Sequence, residues 1–222
     1  MSHSLATTLG FGVMFLSILL LIEYVYRKWQ LAPEISRKLG HVIAILLSIP
    51  MIYWIEDHRV VFGLGLGFCV LLFLGKKYDW LKSIDSVDRK TAGSYILPIS
   101  IYIMFYISSK NHSKLLYVLP LLILAISDPL AALVGTRLHK QTNEIKVFGL
   151  SLKKTYLGSV AFFMSSLLIS LAVLYLYYPP EKILWVSLLI AIMGTLIELF
   201  SSRGFDNLTI PLGVSGVLIW IG

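Results

Sequence analysis

Eight stretches almost free of charge, at about 5–26, 39–55, 60–74, 94–108, 115–134, 157–178, 183–200 and 208–221, leave this chain little choice of fold. In lipid every backbone polar group must be satisfied within its own segment, so a crossing takes a helix of about 20 apolar residues. Most of the runs approach that length. Those at 60–74 and 208–221 are shorter, a length that also suits a re-entrant or interior helix. The expectation is an all-α, polytopic membrane helix bundle with seven or eight transmembrane helices, forming a single integral-membrane domain over residues 1–222. Composition agrees: 57% of residues are apolar and 14% charged, against about 45–50% and 25% in soluble proteins. The first run has no basic region before it and no small-x-small cleavage site, so it is read as a retained anchor and not as a signal peptide.

The net charge of +7 would suggest nucleic acid in a soluble protein. Its distribution suggests topology instead. Of the 19 Lys and Arg residues, 15 fall in alternate loops, 27–38, 75–93, 136–156 and 201–207. By the positive-inside rule those loops are cytoplasmic and the N-terminus lies outside. No nucleic-acid partner is needed. Cys69 is the single cysteine and lies in an apolar run, which excludes an intrachain disulfide and a thiolate metal cluster.

Four polar motifs interrupt the apolar pattern on the expected cytoplasmic side. In "ISRKLGH", Arg37 and Lys38 precede His41 by four and three residues, so all three share a helix face. They read either as interfacial anchors with a core histidine or as a cationic phosphate clamp. In "LLILAISDPLAALVG", Asp128 begins a stripe with Ala131, Ala132 and Gly135; small residues alone would mean close helix packing, but a carboxylate within a span must find a cation, a metal or a proton. "SLKKTYLGS" puts Lys153 and Lys154 before a helix start with Gly158 and Ser159, where free N–H groups and a glycine suit an anion, although a plain helix cap reads equally well. "GTLIELFSSRGFDNLTIP" carries Glu198 on an apolar helix, then Asp206 and Asn207 in a turn that could also be simply an N-cap.

There is no P-loop, HExxH or serine-hydrolase elbow. Three acids, several cations and glycine-flanked helix ends on one membrane face are parts for holding a metal-bound polyphosphate.

In order, "RKLGH", "SDPLAALVG", "KKTYLGS" and "E..SSRGFDNLTIP" resemble the CTP-dependent lipid kinases, the family of dolichol, phytol and farnesol kinases and the yeast-type diacylglycerol kinase, related in turn to the phosphatidate cytidylyltransferases. The resemblance runs from Arg37 to about Pro211. Ser127 departs from it, standing where many relatives have glycine. "DRKTAGSYILP", with Arg89 and Gly93, resembles the family's central basic segment more loosely. The resemblance implies transfer of the γ-phosphate of CTP to a lipid hydroxyl with Mg²⁺. It implies Asp128, Asp206 and Asn207 at the metal or metal-bound triphosphate, and Lys153, Lys154, Gly158, Ser159, Gly135 and Arg89 around the nucleotide. Glu198 or His41 would take the hydroxyl proton, with Arg37 and Lys38 near the product phosphate. The implied partners are CTP, a lipid alcohol such as phytol, farnesol or polyprenol, and the surrounding membrane lipids; self-association into a homo-oligomer is left open. Two other readings stand beside it: a cytidylyltransferase acting on phosphatidate or a polyprenyl phosphate, and a transporter whose intramembrane acids carry ions. Against transport stand the absence of an evident repeat and the gathering of polar motifs at one face.

Overall fold

A computed structural model describes residues 2–85, 92–138, 144–147 and 150–221. Each of the eight apolar runs is helical: α1 (Ser2–Trp29), α2 with the short α3 (Pro33–Ser48, Met51–Trp54), α4 (His58–Lys77), α6 (Gly93–Lys110), α7 (Leu115–Arg137), α8 (Tyr156–Leu174), α9 (Pro180–Phe200) and α10 (Asp206–Ile221), with a single turn, α5 (Lys82–Asp85), between α4 and α6. Six helical stretches are long and apolar enough to cross a membrane. The 60–74 run, short by composition, is among them, because its helix extends through Lys76 and Lys77 to reach 20 residues. The 18-residue α6 and 16-residue α10 complete the bundle. The protein is an all-α, multi-pass integral membrane bundle. One addition to that expectation is a small antiparallel hairpin in the 136–156 loop, β1 (Glu144–Val147) and β2 (Leu150–Thr155), with an irregular register between Glu144 and Lys146.

Cross-connections fix the alternation of the helices. At one end, Arg27 Nη2 at the close of α1 donates to Trp80 O, Ala92 N before α6 donates to Arg203 O, and Lys154 before α8 pairs with Glu198 near the end of α9. At the other end, Tyr117 near the start of α7 donates through its hydroxyl to Ser48 O at 3.0 Å, and the Lys114 ammonium lies over the Tyr53 ring. All five tryptophans are exposed, Trp29 and Trp80 at the first end and Trp54, Trp185 and Trp220 at the second, as expected of side chains seated at the two membrane interfaces. The densest packing surrounds α7, whose Tyr117, Leu119, Leu121, Ile123 and Leu124 are fully buried. Interhelical hydrogen bonds such as Tyr117 to Ser48 contribute about 0.6–2 kcal/mol each in a bilayer. Small residues and packing supply the rest.

Candidate active site

The first end of the bundle holds a charged recess. Asp128 of α7 lies within electrostatic range of Asp206 of α10, Lys154 of β2, Glu198 of α9 and Lys38 of α2. These residues are scattered over 168 positions of sequence and meet only because five elements end or begin here. Asp128 stands nine residues before the last residue of α7, about 14 Å along the axis at 1.5 Å per residue. Asp128 is therefore sunk below the end of α7, while Asp206, Lys154 and Glu198 stand at or near the ends of their own elements. Lys154 Nζ donates to Glu198 Oε1 in an ion pair in which the Glu198 side chain is almost wholly buried. Burial pushes the Lys154 ammonium toward its neutral form, but the charge and hydrogen bond of Glu198, with Asp128 and Asp206 behind it, outweigh burial and hold its pKa above the ordinary value. Lys154 is thereby held toward its charged form in an acidic pocket.

Close backbone packing holds the recess in shape. A Cβ on Gly158 would come within 2.9 Å of Ala131 O, and Gly158 also lies against the Cα of Gly135, so the small stripe following Asp128 is the surface on which α8 crosses α7. Thr155 caps α8, its Oγ1 accepting the Gly158 N–H at 3.2 Å. That N–H is thus already engaged, while Ser159 is buried with no protein partner for its hydroxyl. On the opposite side, Gly204 has φ +91° and packs so tightly that a Cβ would fall 2.4 Å from Gly93 N. This contact, the Ala92 to Arg203 bond and the Asn207 Nδ2 donation to Gly93 O at 2.9 Å lock the 203–207 turn onto the start of α6. Asp206 Oδ1 accepts the Asn207 N–H at 3.1 Å, so its carboxylate is aligned by the same lock.

Beside the recess runs an apolar cleft between α1, α2, α4 and α6. Arg37, His41, Ser94 and Asn207 line its polar end, and His41 Nε2 is buried there without a protein partner. Phe15 and Phe68 line its deep end and meet edge to face, centroids 6.1 Å apart. Asn207 borders the cleft and adjoins Asp206 of the recess, so the two spaces share a wall.

Among the described residues no three His, Cys, Asp or Glu side chains stand close enough to form a ready-made metal site. The donor chemistry nonetheless fits a hard divalent cation. Asp128 and Asp206 are like-charged carboxylates facing one another's field, and Glu198 Oε2 is a buried oxygen with no protein partner. Two carboxylates are what Mg²⁺ commonly takes from protein when phosphate and water complete its shell.

Of the residues singled out by sequence, the fold gathers Asp128, Glu198, Lys154, Asp206 and Lys38 in the recess, and Arg37, His41 and Asn207 at the neighbouring cleft. Gly135 and Gly158 serve the helix crossing. Lys153 lies in β2, and its side chain, like the whole of Arg89, lies outside the described residues. Sequence reading passed over Gly204, whose signal was a glycine inside "SRGFDN". It also passed over Glu23, whose buried carboxylate accepts from Arg27 Nε at 2.6 Å and Ser83 N at 2.9 Å and so ties α1 to the segment after α4. A lone acid in a long apolar run carries no sequence clue to that distant partner.

No family model and no solved structure matches the chain. Among curated proteins it is 29% identical to a phytol kinase of Synechocystis, over an alignment covering all of this chain and 94% of that protein. It is 34% identical to an uncharacterized protein of Rickettsia prowazekii, over 81% of this chain and 90% of that one. An end-to-end relative of that kind, the four motifs in order and a polytopic bundle that gathers them support membership of the polyprenol/phytol kinase family of integral-membrane lipid kinases.

Proposed function

We propose that the protein transfers the γ-phosphate of CTP to the hydroxyl of an isoprenoid lipid alcohol, at the end of the bundle that faces the cytoplasm. The observation that carries this reading is the shared wall: a recess of acids and cations suited to a metal-bound triphosphate adjoins an apolar cleft through Asp206 and Asn207. Lys154 and Lys38 neutralise phosphate oxygens, and Lys154 is itself fixed by Glu198. Asp128 and Asp206 would hold Mg²⁺, which when bound supplies further charge neutralisation on the β- and γ-phosphates. The lipid hydroxyl enters from the cleft. Its oxygen bonds to the γ-phosphorus as the bond from that phosphorus to the β–γ bridging oxygen breaks, and CDP leaves. His41 Nε2, buried and unpartnered at the polar end of the cleft, takes the hydroxyl proton. Glu198 has one of its oxygens committed to Lys154, whereas His41 Nε2 is open. Most of the rate comes from positioning and electrostatics, as in other phosphoryl transfers.

The test is purified protein in detergent with Mg²⁺, a panel of lipid alcohols and diacylglycerol, and CTP labelled separately at the α and γ phosphates. Label from the γ position in lipid is expected. Label from the α position on added phosphatidate would make the protein a cytidylyltransferase, and γ-transfer from ATP in preference to CTP would overturn the donor.

A further inference from the structure

The cleft between α1, α2, α4 and α6 has the shape and chemistry of a head-group reader, and we propose that it binds the acceptor with its hydroxyl at His41 and Asn207 and its hydrocarbon chain running toward Phe15 and Phe68. The proposal rests on the lipid-alcohol reading above and adds the acceptor subsite and what that subsite measures.

Three observations support it. The cleft is polar at one end only: Arg37, His41, Ser94 and Asn207 cluster at the α2 and α6 starts, and the remaining walls are Phe, Leu, Ile, Ala and Gly. An alcohol on a hydrocarbon chain has the same one-ended polarity. At the polar end the unpartnered His41 Nε2 supplies the hydrogen-bonding group that a hydroxyl would satisfy, in a buried place where leaving it unmet is costly. That end also adjoins Asp206, so a hydroxyl seated there faces the recess assigned to phosphate, whereas one seated on the outer face of α8 or α9 would not.

The cleft is also short. Its α1 wall runs from Phe15 to Ile22 and its α2 wall from Arg37 to Ala44, each about 10 Å at 1.5 Å per residue. A long isoprenoid cannot be contained in that depth. Its first segment is read by Ile22, Leu72 and Leu97, and the remainder leaves past the Phe15–Phe68 pair. These two rings bridge α1 and α4, helices that otherwise touch at few points, so the exit assigned to the chain lies at that seam. The enzyme should therefore discriminate acceptors by branching close to the hydroxyl and be nearly indifferent to chain length beyond the cleft.

Two experiments test this on the full-length protein in detergent. In the first, a long-chain alcohol carrying a diazirine near its hydroxyl end is photolysed with the wild-type protein and the adducts are mapped by mass spectrometry. Adducts on the 15–22 and 68–72 segments, lost in the presence of excess unlabelled alcohol, are expected; adducts confined to α8 and α9 would overturn the assignment. This readout needs no phosphate transfer, so a protein labelled in the cleft but transferring nothing would sink the kinase reading and leave the cleft standing. In the second, Ala44→Phe fills the cleft and Phe68→Ala opens its deep end. Ala44→Phe should raise the KM for the lipid about 10-fold or more with the nucleotide KM unchanged. Phe68→Ala should relax selection against chains that are bulky where they leave the cleft, about 10 Å from the hydroxyl. An active wild type whose lipid KM is within twofold of that of a folded Ala44→Phe protein would place the acceptor elsewhere, as would a length preference that persists beyond the cleft.

Discussion

The charged recess and the apolar cleft are neighbours, yet they are built by opposite means. The recess draws Asp128, Glu198, Lys154, Asp206 and Lys38 from five elements and keeps them near one another by ion pairing and tight glycine contacts. The cleft is lined mostly by apolar side chains from separate helices, with a buried polar atom, His41 Nε2, left open. A site for a highly charged donor has to be organised before the donor arrives, because reorienting charges in a low-dielectric pocket is costly. A site for a flexible hydrocarbon gains most from being apolar and accessible. Substitutions should therefore fall into two kinds: those in the recess should be steep and specific to transfer, and those in the cleft graded and specific to the lipid.

The strongest challenge to that contrast is Asp128→Asn. It preserves volume and removes one of two facing carboxylates, so transfer should fall about 10³-fold, the scale set by loss of a preorganised electrostatic group. Thermal stability and photolabelling of the cleft by the diazirine alcohol should be retained. If transfer survived within about 10-fold, the recess would not be the phosphate site.

The Lys154–Glu198 pair sharpens the comparison further. Lys154→Met leaves Glu198 buried and uncompensated, and breaking a buried pair from one side costs about 3–5 kcal/mol. The partial exposure of Lys154 puts the expected loss at the lower end. Adding Glu198→Gln removes the stranded charge, so the double variant should recover most of the melting temperature while remaining about 10²-fold slow in transfer. Recovery of activity along with stability would mean that the pair is merely structural. Double-mutant analysis of unfolding midpoint and initial rate on the same preparations distinguishes the two.

How far these parts were legible in the sequence follows from what each depends on. The helices were legible because lipid permits so few backbone solutions, and even the short 60–74 run proved a 20-residue helix once its terminal lysines were included. The recess acids were legible because a carboxylate in an apolar run is costly enough to need a reason, although the same argument passed over Glu23. The cleft was not legible. Its walls are ordinary Phe, Leu and Ile residues from helices far apart in sequence, and nothing distinguishes them from residues facing lipid until the helices are assembled. The β1–β2 hairpin was missed because its strands are short and lie in a segment that reads as a polar loop.

Gly204→Ala bears on how the two sites are joined. At φ +91° a methyl group is strained whatever the space, and here it would fall 2.4 Å from Gly93 N, so a stability loss of at least about 2 kcal/mol is expected. Because Gly93, Gly204 and Asn207 hold the shared wall, the defect should appear in both nucleotide and lipid KM. An effect on one alone would show that the recess and cleft are positioned independently.

The smallest effect expected is a flat line, and it tests whether the recess is organised in advance of its ligand. The pKa of Lys154 is held above its ordinary 10.5, because Glu198, Asp128 and Asp206 outweigh the burial that favours the neutral form. A cation whose pKa is raised on folding contributes fully below its unfolded-state value and loses that contribution only as pH rises through the higher folded value. Between about pH 7 and pH 9, therefore, neither the stability from the Lys154–Glu198 pair nor the charge offered to phosphate should change. Affinity for a non-hydrolysable CTP analogue, measured over the upper part of that window, about pH 8 to 9, in the presence of Mg²⁺, should be constant within about twofold. A marked fall toward pH 9 would mean that the cation meeting the phosphates is not the one fixed by Glu198, and that the recess takes its working form only when the donor binds.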